Sequence, residues 1–351
     1  MTNVTYLIGA GASAGKRGES GKNKKQKDII EGLPCVNEIP DRISNILDIL
    51  KAKPVESTDK VNSQPKDEKD VIKNELISCF QKLYDAVKKH ATIDTYAKKL
   101  KLKGQMDEFR ELEQLLTLFF LYEQIQLNPD SRYDTFLANI LQNRSSLPKY
   151  INIISWNYDS QIEIAYSEYN DPNILNIGTK SDSYYQDWQI IKLNGTATFR
   201  DQFDLVRKRE EIALKLHEAD NDLVSSYTAK QLVYQAEFVS LYNEYVKDKE
   251  HTSNLSFAFD DSYPSDALLS RSQKIISETN ALVIIGYTFP FFNREIDREI
   301  LRTIIPDTKI YIQDLYPERI KQSLRAVLPH IKENNIILLK EVDQFYLPPE
   351  L

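Results

Sequence analysis

Ala281-Leu282-Val283-Ile284-Ile285 is a run of five residues without a polar side chain, closed by Gly286. A strand that is apolar on both faces must be covered on both faces. That is the situation of a strand inside a parallel sheet flanked by helices. The surrounding sequence agrees. Leu268 to Asn280 before the run and Glu295 to Thr303 after it have helical character. Lys309-Ile310-Tyr311-Ile312 is a further strand, Arg319 to Leu328 a further helix, and Ile336-Ile337-Leu338-Leu339 a closing strand. Strands alternating with helices predict an α/β fold, a Rossmann-like doubly wound parallel sheet.

The same pattern starts the chain and is then interrupted. Val4-Thr5-Tyr6-Leu7-Ile8 is β-branched and aromatic and runs into Gly9-Ala10-Gly11-Ala12-Ser13-Ala14. Residues 16–28, polar and lysine-rich, read as a solvated loop, and 52–70 as a second exposed loop. Between them, Ile43, Ile46, Leu47 and Leu50 mark a helix over Ile39 to Lys51. From Val71 to about Leu147 the periodicity is helical, and residues 200–250 are charged with helical spacing at Leu205, Ile212, Leu216 and Leu223. Strand character returns at Tyr150 to Ser155, Ile190 to Leu193 and Leu255 to Phe259, with a helix over Ile162 to Tyr169. The expected organisation is one Rossmann-like domain over 1–50, 148–200 and 252–351, carrying helical insertions over 71–147 and 200–251.

Composition removes several classes of function. The 351 residues carry 45 basic and 52 acidic side chains, a net charge of −7. Direct nucleic-acid binding by bulk electrostatics is not expected from such a chain. The two cysteines, Cys35 and Cys79, are too few for a four-cysteine zinc ribbon or a disulfide framework and suit a reducing cytoplasm. The longest strongly apolar run, Leu115 to Tyr122, is eight residues, against the ~20 a membrane span needs. Met1 to Thr5 has neither the basic nor the apolar region of a signal peptide. His90, His217, His251 and His330 show no ligand spacing, and no metal site is expected.

The chemistry gathers at strand ends. Glycines spaced like Gly9 and Gly11 directly after a strand let the backbone turn tightly and approach a pyrophosphate, with the following N–H groups holding the anion. The acidic residue that usually ends the second strand of a dehydrogenase is not identifiable, which disfavours an ordinary dinucleotide oxidoreductase. Ligands of open parallel sheets sit outside the carboxyl ends of the strands. Three such ends are Gly9 to Ser13, Ser155-Trp156-Asn157-Tyr158-Asp159 and Gly286-Tyr287-Thr288-Phe289. Ser13, Asn157 and Thr288 are therefore expected to share one crevice. Taken alone, Asn157-Tyr158-Asp159 also reads as a turn with capping side chains.

Together these segments resemble the sirtuin fold, and more closely the sirtuin-like NAD-hydrolysing domains of bacterial antiphage defence. Gly9-Ala10-Gly11-Ala12-Ser13 is similar to the family's phosphate loop, and Gly32-Leu33-Pro34 to its proline-bearing segment over the cofactor. Ser155-Trp156-Asn157-Tyr158-Asp159 resembles its Thr-Gln-Asn-Ile-Asp motif, Lys192-Leu193-Asn194-Gly195 its Leu-His-Gly segment and Gly286-Tyr287-Thr288 its Gly-Thr-Ser segment. Tyr287 to Asn293 is especially like the bacterial branch. The resemblance does not extend to 71–147 or 200–250.

It implies NAD as substrate, held by Gly9, Ala10, Gly11, Ala12, Ser13, Pro34, Trp156, Gly286, Tyr287, Thr288 and Asp314, the last at the adenosine ribose. Asn157, Asp159 and Asn194 are the implied catalytic residues. It also implies a cytoplasmic effector kept silent by a homo-oligomer or a partner defence protein. Two features depart from the family: the missing zinc cysteines, and Asn194 in place of the catalytic histidine. An amide cannot accept a proton as a histidine does near neutral pH, so deacylation is not expected. Nicotinamide leaves a cationic pyridinium as a neutral molecule, so hydrolysis needs no such base. The alternative expectation is a non-catalytic module that binds NAD or ADP-ribose.

Overall fold

The computed structural model describes residues 2–15, 32–52, 66–142, 147–180, 182, 184–199, 204–220, 226–247, 251–260 and 264–351. The loop expected over 16–28 lies outside them, as does 53–65 of the second loop. The strands are β1 (Val4–Ile8), β2 (Ile151–Ser155), β3 (Ile177–Gly178), β4 (Ile190–Lys192), β5 (Gly195–Phe199), β6 (Ser253–Leu255), β7 (Ala281–Ile285), β8 (Lys309–Gln313) and β9 (Ile336–Leu339). The α-helices are α1 (Ile39–Lys51), α2 (Lys66–Lys89), α3 (Ile93–Leu102), α4 (Met106–Gln126), α5 (Ser131–Ile140), α6 (Gln161–Ser167), α7 (Leu205–Asp220), α8 (Ser226–Tyr245), α9 (Asp266–Ser277), α10 (Arg294–Leu301) and α11 (Pro317–Val327).

The chain divides into two units. Met1–Cys35, Leu127–Thr196 and Asn254–Leu351 form the first; Val36–Gln126 and Ala197–Ser253 form the second. The first is α/β. Seven strands lie in the order β3-β4-β2-β1-β7-β8-β9 with parallel pairing throughout. After β1 the chain adds β2 beside it, then β3 at the far edge and β4 between those two, and returns to place β7 on the other side of β1. The order therefore reverses between β1 and β7, where an open α/β sheet has its crevice.

Both faces of the sheet are covered. Val4, Tyr6, Ile8, Ile151, Ile153, Val283 and Ile285 pack with Tyr133, Phe136 and Leu137 of α5 and with Ile162 and Tyr166 of α6. Leu7, Ile154, Ile191, Leu282 and Ile284 pack with Ile275 and Ile276 of α9, Ile296 and Ile300 of α10, and Ile320 and Leu324 of α11. Burial on two sides explains why β7 tolerates no polar residue. Each such side chain contributes roughly 1.5–3 kcal/mol. Doubly wound α/β architecture follows.

The second unit is built of α1 to α4, α7 and α8. The run Leu115 to Tyr122 is the middle of α4 and is wholly buried. Phe238 of α8 meets Phe80 at 5.1 Å and Tyr122 at 4.2 Å between ring centroids. Gln235 Nε2 donates to the carbonyls of Ile49 and Leu50 and so satisfies the end of α1. Charge is buried here too: Arg42 lies 3.4 Å from Glu123, which is 4% exposed. Among the described residues no helix is long and apolar enough to cross a membrane.

Several boundaries differ from expectation. α2 starts at Lys66, inside the segment expected as a loop through residue 70. Phe257 and Asp260 close a turn through Phe257 N to Asp260 Oδ2 and Asp260 N to Phe257 O. The strand expected over Leu255 to Phe259 is therefore Ser253–Leu255 instead. β3, two residues long, and β5 were too short or too polar to announce themselves.

Burial raises Glu123 to about 7, against the pull of Arg42. A carboxyl raised in the folded state stabilises below its ordinary range and loses that contribution as pH rises through 7. Arg42→Leu should accordingly destabilise by about 3 kcal/mol at pH 8 and by much less at pH 5, where Glu123 is protonated; urea unfolding at the two pH values measures the difference.

Candidate functional site

Strand register builds one edge. Ile8 is level with Ser155 and Ile285, Ser155 with Lys192, and Ile285 with Gln313. The next residues, Gly9, Trp156, Leu193, Gly286 and Asp314, thus stand side by side at the carboxyl ends. Backbone bonds continue the ladder by one step: Gly9 N to Ile285 O at 3.0 Å, Trp156 N to Ile8 O at 3.0 Å and Leu193 N to Ser155 O at 2.7 Å.

At the β1/β7 switch the two exit loops touch through backbone. Gly286 has φ +59°, and a Cβ there would lie 2.4 Å from Gly11 Cα. A Cβ on Gly11 would meet Gly286 Cα at 2.7 Å, and one on Gly9 the Gly286 carbonyl at 2.7 Å. Gly11 N donates to Gly286 O at 3.1 Å. Gly9 and Gly11 are therefore glycine because a neighbouring strand end fills the space. Ala10–Ala12 forms one 3₁₀ turn. Ala12 N and Ser13 N donate to Gly9 O and Ala10 O, and Gly15 N to Asp130 Oδ2. The loop's N–H groups expected to cradle an anion are largely engaged internally, which leaves those of Ala10 and Ala14.

Beside this turn lies a buried polar cluster. Asn157 Nδ2 donates to Ser13 Oγ at 3.2 Å, and Ser13 Oγ shares a hydrogen bond with Tyr133 OH at 3.0 Å. The Ser13 hydroxyl also acts on the Asp159 carboxyl and favours its charged form. Asp159 Oδ1 accepts Gln161 N at 3.2 Å, and its carbonyl accepts Lys192 Nζ at 2.8 Å. Lys192, 1% exposed, pairs with Glu163 at 3.0 Å. Burial pushes Asp159 above the ordinary carboxylate value, and Lys192, Ser13 and the Gln161 N–H pull it back. Burial and the neighbouring Asp159 push the Tyr133 phenol well above its ordinary value, so it stays protonated.

Asn194 lies on the other side of the β2 exit. Its Nδ2 donates to Trp156 O at 3.0 Å, while its Oδ1 is buried and has no hydrogen-bond partner among the described residues. Such an acceptor costs about 1–3 kcal/mol unless a ligand or water meets it. The neighbouring Ser256, whose N–H donates to Asn194 O, likewise has a buried Oγ without a partner.

Ser13 and Asn157 are thus hydrogen-bonded, with Asp159 close to Ser13, and Asn194 is tied to the same strand exit through the Trp156 carbonyl. Tyr287 stacks on Trp156 with centroids 6.0 Å apart. Thr288 is exposed. Pro34 is buried, and Leu33 N beside it donates to Ser13 O at 2.8 Å. Asp314 is half-buried and caps its own turn, Oδ1 accepting Tyr316 N at 2.8 Å. Among the described residues no group of three or more His, Cys, Asp or Glu side chains converges as a metal site.

Other residues were not foreseen. Arg132 donates to both Asp130 oxygens and to the carbonyls of Gly11 and Ala12, both at 3.1 Å. This buried pair props the glycine turn from α5, within a stretch that its periodicity marks only as helical. The available signal was Asp130-Ser131, an N-cap pair: the Asp130 carboxylate accepts Arg132 N at 3.0 Å. Phe289 is held at φ +55°, a strained conformation at the β7 exit. Comparison with protein-family models, curated proteins and solved structures finds no match for the chain.

The loop contact makes a direct prediction. Gly286→Ala should lower stability by about 2–3 kcal/mol, from overpacking plus the left-handed φ, whereas Gly104→Ala, where a Cβ meets nothing within 4 Å, carries only the φ penalty. Denaturant midpoints of the two variants compare them.

Proposed function

We propose that this protein binds NAD at the carboxyl edge of its sheet and hydrolyses the nicotinamide–ribose bond, as the sirtuin-like NAD-hydrolysing domains of antiphage defence do. The observation that carries the reading is the hydrogen bond between Asn157 and Ser13, which joins the β2-exit motif to the glycine turn across 144 positions of sequence. The partnerless Asn194 Oδ1 supports it, because it offers an acceptor suited to a ribose hydroxyl.

The chemistry suits these groups. The bond from C1′ to the pyridinium nitrogen breaks with its electron pair going to nitrogen, so nicotinamide departs neutral. Water adds at C1′ and gives up one proton, leaving ADP-ribose. The intermediate charge on C1′ and the ring oxygen is positive, so a carboxylate nearby lowers the barrier. In this reading Asp159 supplies it when ionised. Asn157 orients the ribose or the water, which converts a chance encounter into a positioned one. Asn194 accepts from a ribose hydroxyl and asks for no proton transfer. The reading carries with it a cytoplasmic effector held silent by self-assembly or a partner defence protein. The second reading, a non-catalytic NAD or ADP-ribose module, is favoured by one feature: Asn194 has no titratable group.

Incubating the purified chain with NAD, alone and with candidate partner proteins, should release nicotinamide and ADP-ribose in equal amounts. Asn157→Ala should reduce release about 100-fold while NAD affinity changes less than about 10-fold. Binding without release by the unaltered chain supports the second reading, and no binding in any assembly state contradicts both.

A further inference from the structure

Asp297 of α10 is 2% exposed and belongs to none of the segments read above as site. Its two oxygens serve two different strand exits. Trp156 Nε1 donates to Oδ1 at 3.0 Å, and Tyr287 OH donates to Oδ2 at 2.7 Å. The two rings lie near-parallel, 11° between planes. Trp156 directly precedes Asn157, and its carbonyl holds the Asn194 amide. Tyr287 directly follows Gly286. We infer that Asp297 is a positioning residue: by accepting from Trp156 and Tyr287 at once, its carboxylate locks the β2 and β7 exits together and sets Asn157 and Asn194 for the ligand.

Only a carboxylate does this well. Its two oxygens both accept and neither needs a donor role, whereas an amide offers one acceptor and a misplaced donor. Burial raises Asp297 to about 7, and the Tyr287 and Trp156 bonds and Arg294 oppose that rise. Tyr287 itself stays protonated, its phenol pushed well above the ordinary value by burial and by Asp297, against a smaller opposing pull from Asn293. The other elements packed on α10 turn their charges elsewhere. Arg271 of α9 donates to Trp188 O and pairs with Asp187, and Arg325 of α11 pairs with Glu333. The titratable and charged groups acting on Asp297 are therefore Tyr287 and Arg294. The sign is unfavourable to stability: a raised carboxyl stabilises the fold below its ordinary range and loses that contribution as pH rises through 7. A group kept there despite that loss fits a role in positioning.

The activity arm of this inference rests on the proposed NAD chemistry; the spectroscopic arm does not. The full chain is labelled with 5-fluorotryptophan and followed by fluorine NMR. Its two tryptophans give two resonances, assigned through Trp188→Phe. The Trp156 resonance should shift with pH with a midpoint near 7, and the Trp188 resonance should not. Asp297→Asn should abolish that titration and reduce nicotinamide release at pH 8 at least tenfold. Tyr287→Phe, which removes one donor and keeps the ring, should move the midpoint upward, and it serves as the test if the Asn variant does not fold. A Trp156 resonance that ignores pH, or that still titrates in Asp297→Asn, overturns the inference. So does an Asn variant with unaltered release. If Trp156 titrates as expected but the unaltered chain never releases nicotinamide, the function reading fails and the Asp297 anchor stands.

Discussion

The backbone contact between Gly11 and Gly286 decides how the rest of the α/β unit is arranged. Two strand exits meet where the strand order reverses, at a separation that leaves no room for a Cβ on either side. Because they meet, Ser13 is delivered beside Asn157 and Tyr287 beside Trp156. A ligand at this edge would find groups from β1, β2 and β7 already in register. The crevice of a doubly wound sheet is usually described as an opening between diverging loops. Here its floor is closed by glycine packing, and the polar groups lie to one side of it, over β1 and β2.

Buried charge recurs around that edge. Asp130 with Arg132 props the glycine turn, Lys192 with Glu163 holds the carbonyl of Asp159, and Asp297 ties two exits. Desolvating such groups is expensive, and apolar replacements of the same volume often match or exceed their stability. Their common feature is geometric. Each grips a backbone carbonyl or a ring on a strand-exit loop, where a floppy side chain would blur the site. Asp159 and Asp297, both raised by burial, sit at opposite ends of the Trp156-to-Asp159 segment. Loss of stability toward neutral pH is thus built into Asp297, which orders the site.

Most of the sheet was legible in the sequence. Ala281 to Ile285 is wholly apolar and Val4 to Ile8 nearly so, with Thr5 its one polar member, because both are covered on both faces, and a pattern of that kind survives any context. β3, with two residues, has no period to read. The edge of the site was legible because glycine and Asn-x-Asp segments follow strands. What the glycines do was not: Gly9 and Gly11 have the same spacing whether they face a phosphate or another backbone. Asp130, Arg132 and Asp297 were hidden for a related reason. A charged residue on an amphipathic helix looks solvated in sequence, and only packing shows that it points inward. Thr288 illustrates the converse, since its place beside Gly286 says nothing about which way its side chain turns.

The most direct measurement of the central claim is hydrogen–deuterium exchange of the full chain with and without NAD. The account predicts slowed exchange confined to residues 9–15, 156–161, 193–195 and 286–289, with no change in the groove lined by Arg298, Arg302 and His330 between α10 and α11. Protection of that groove instead, or a pattern that spares 156–161 while NAD is bound, would contradict it.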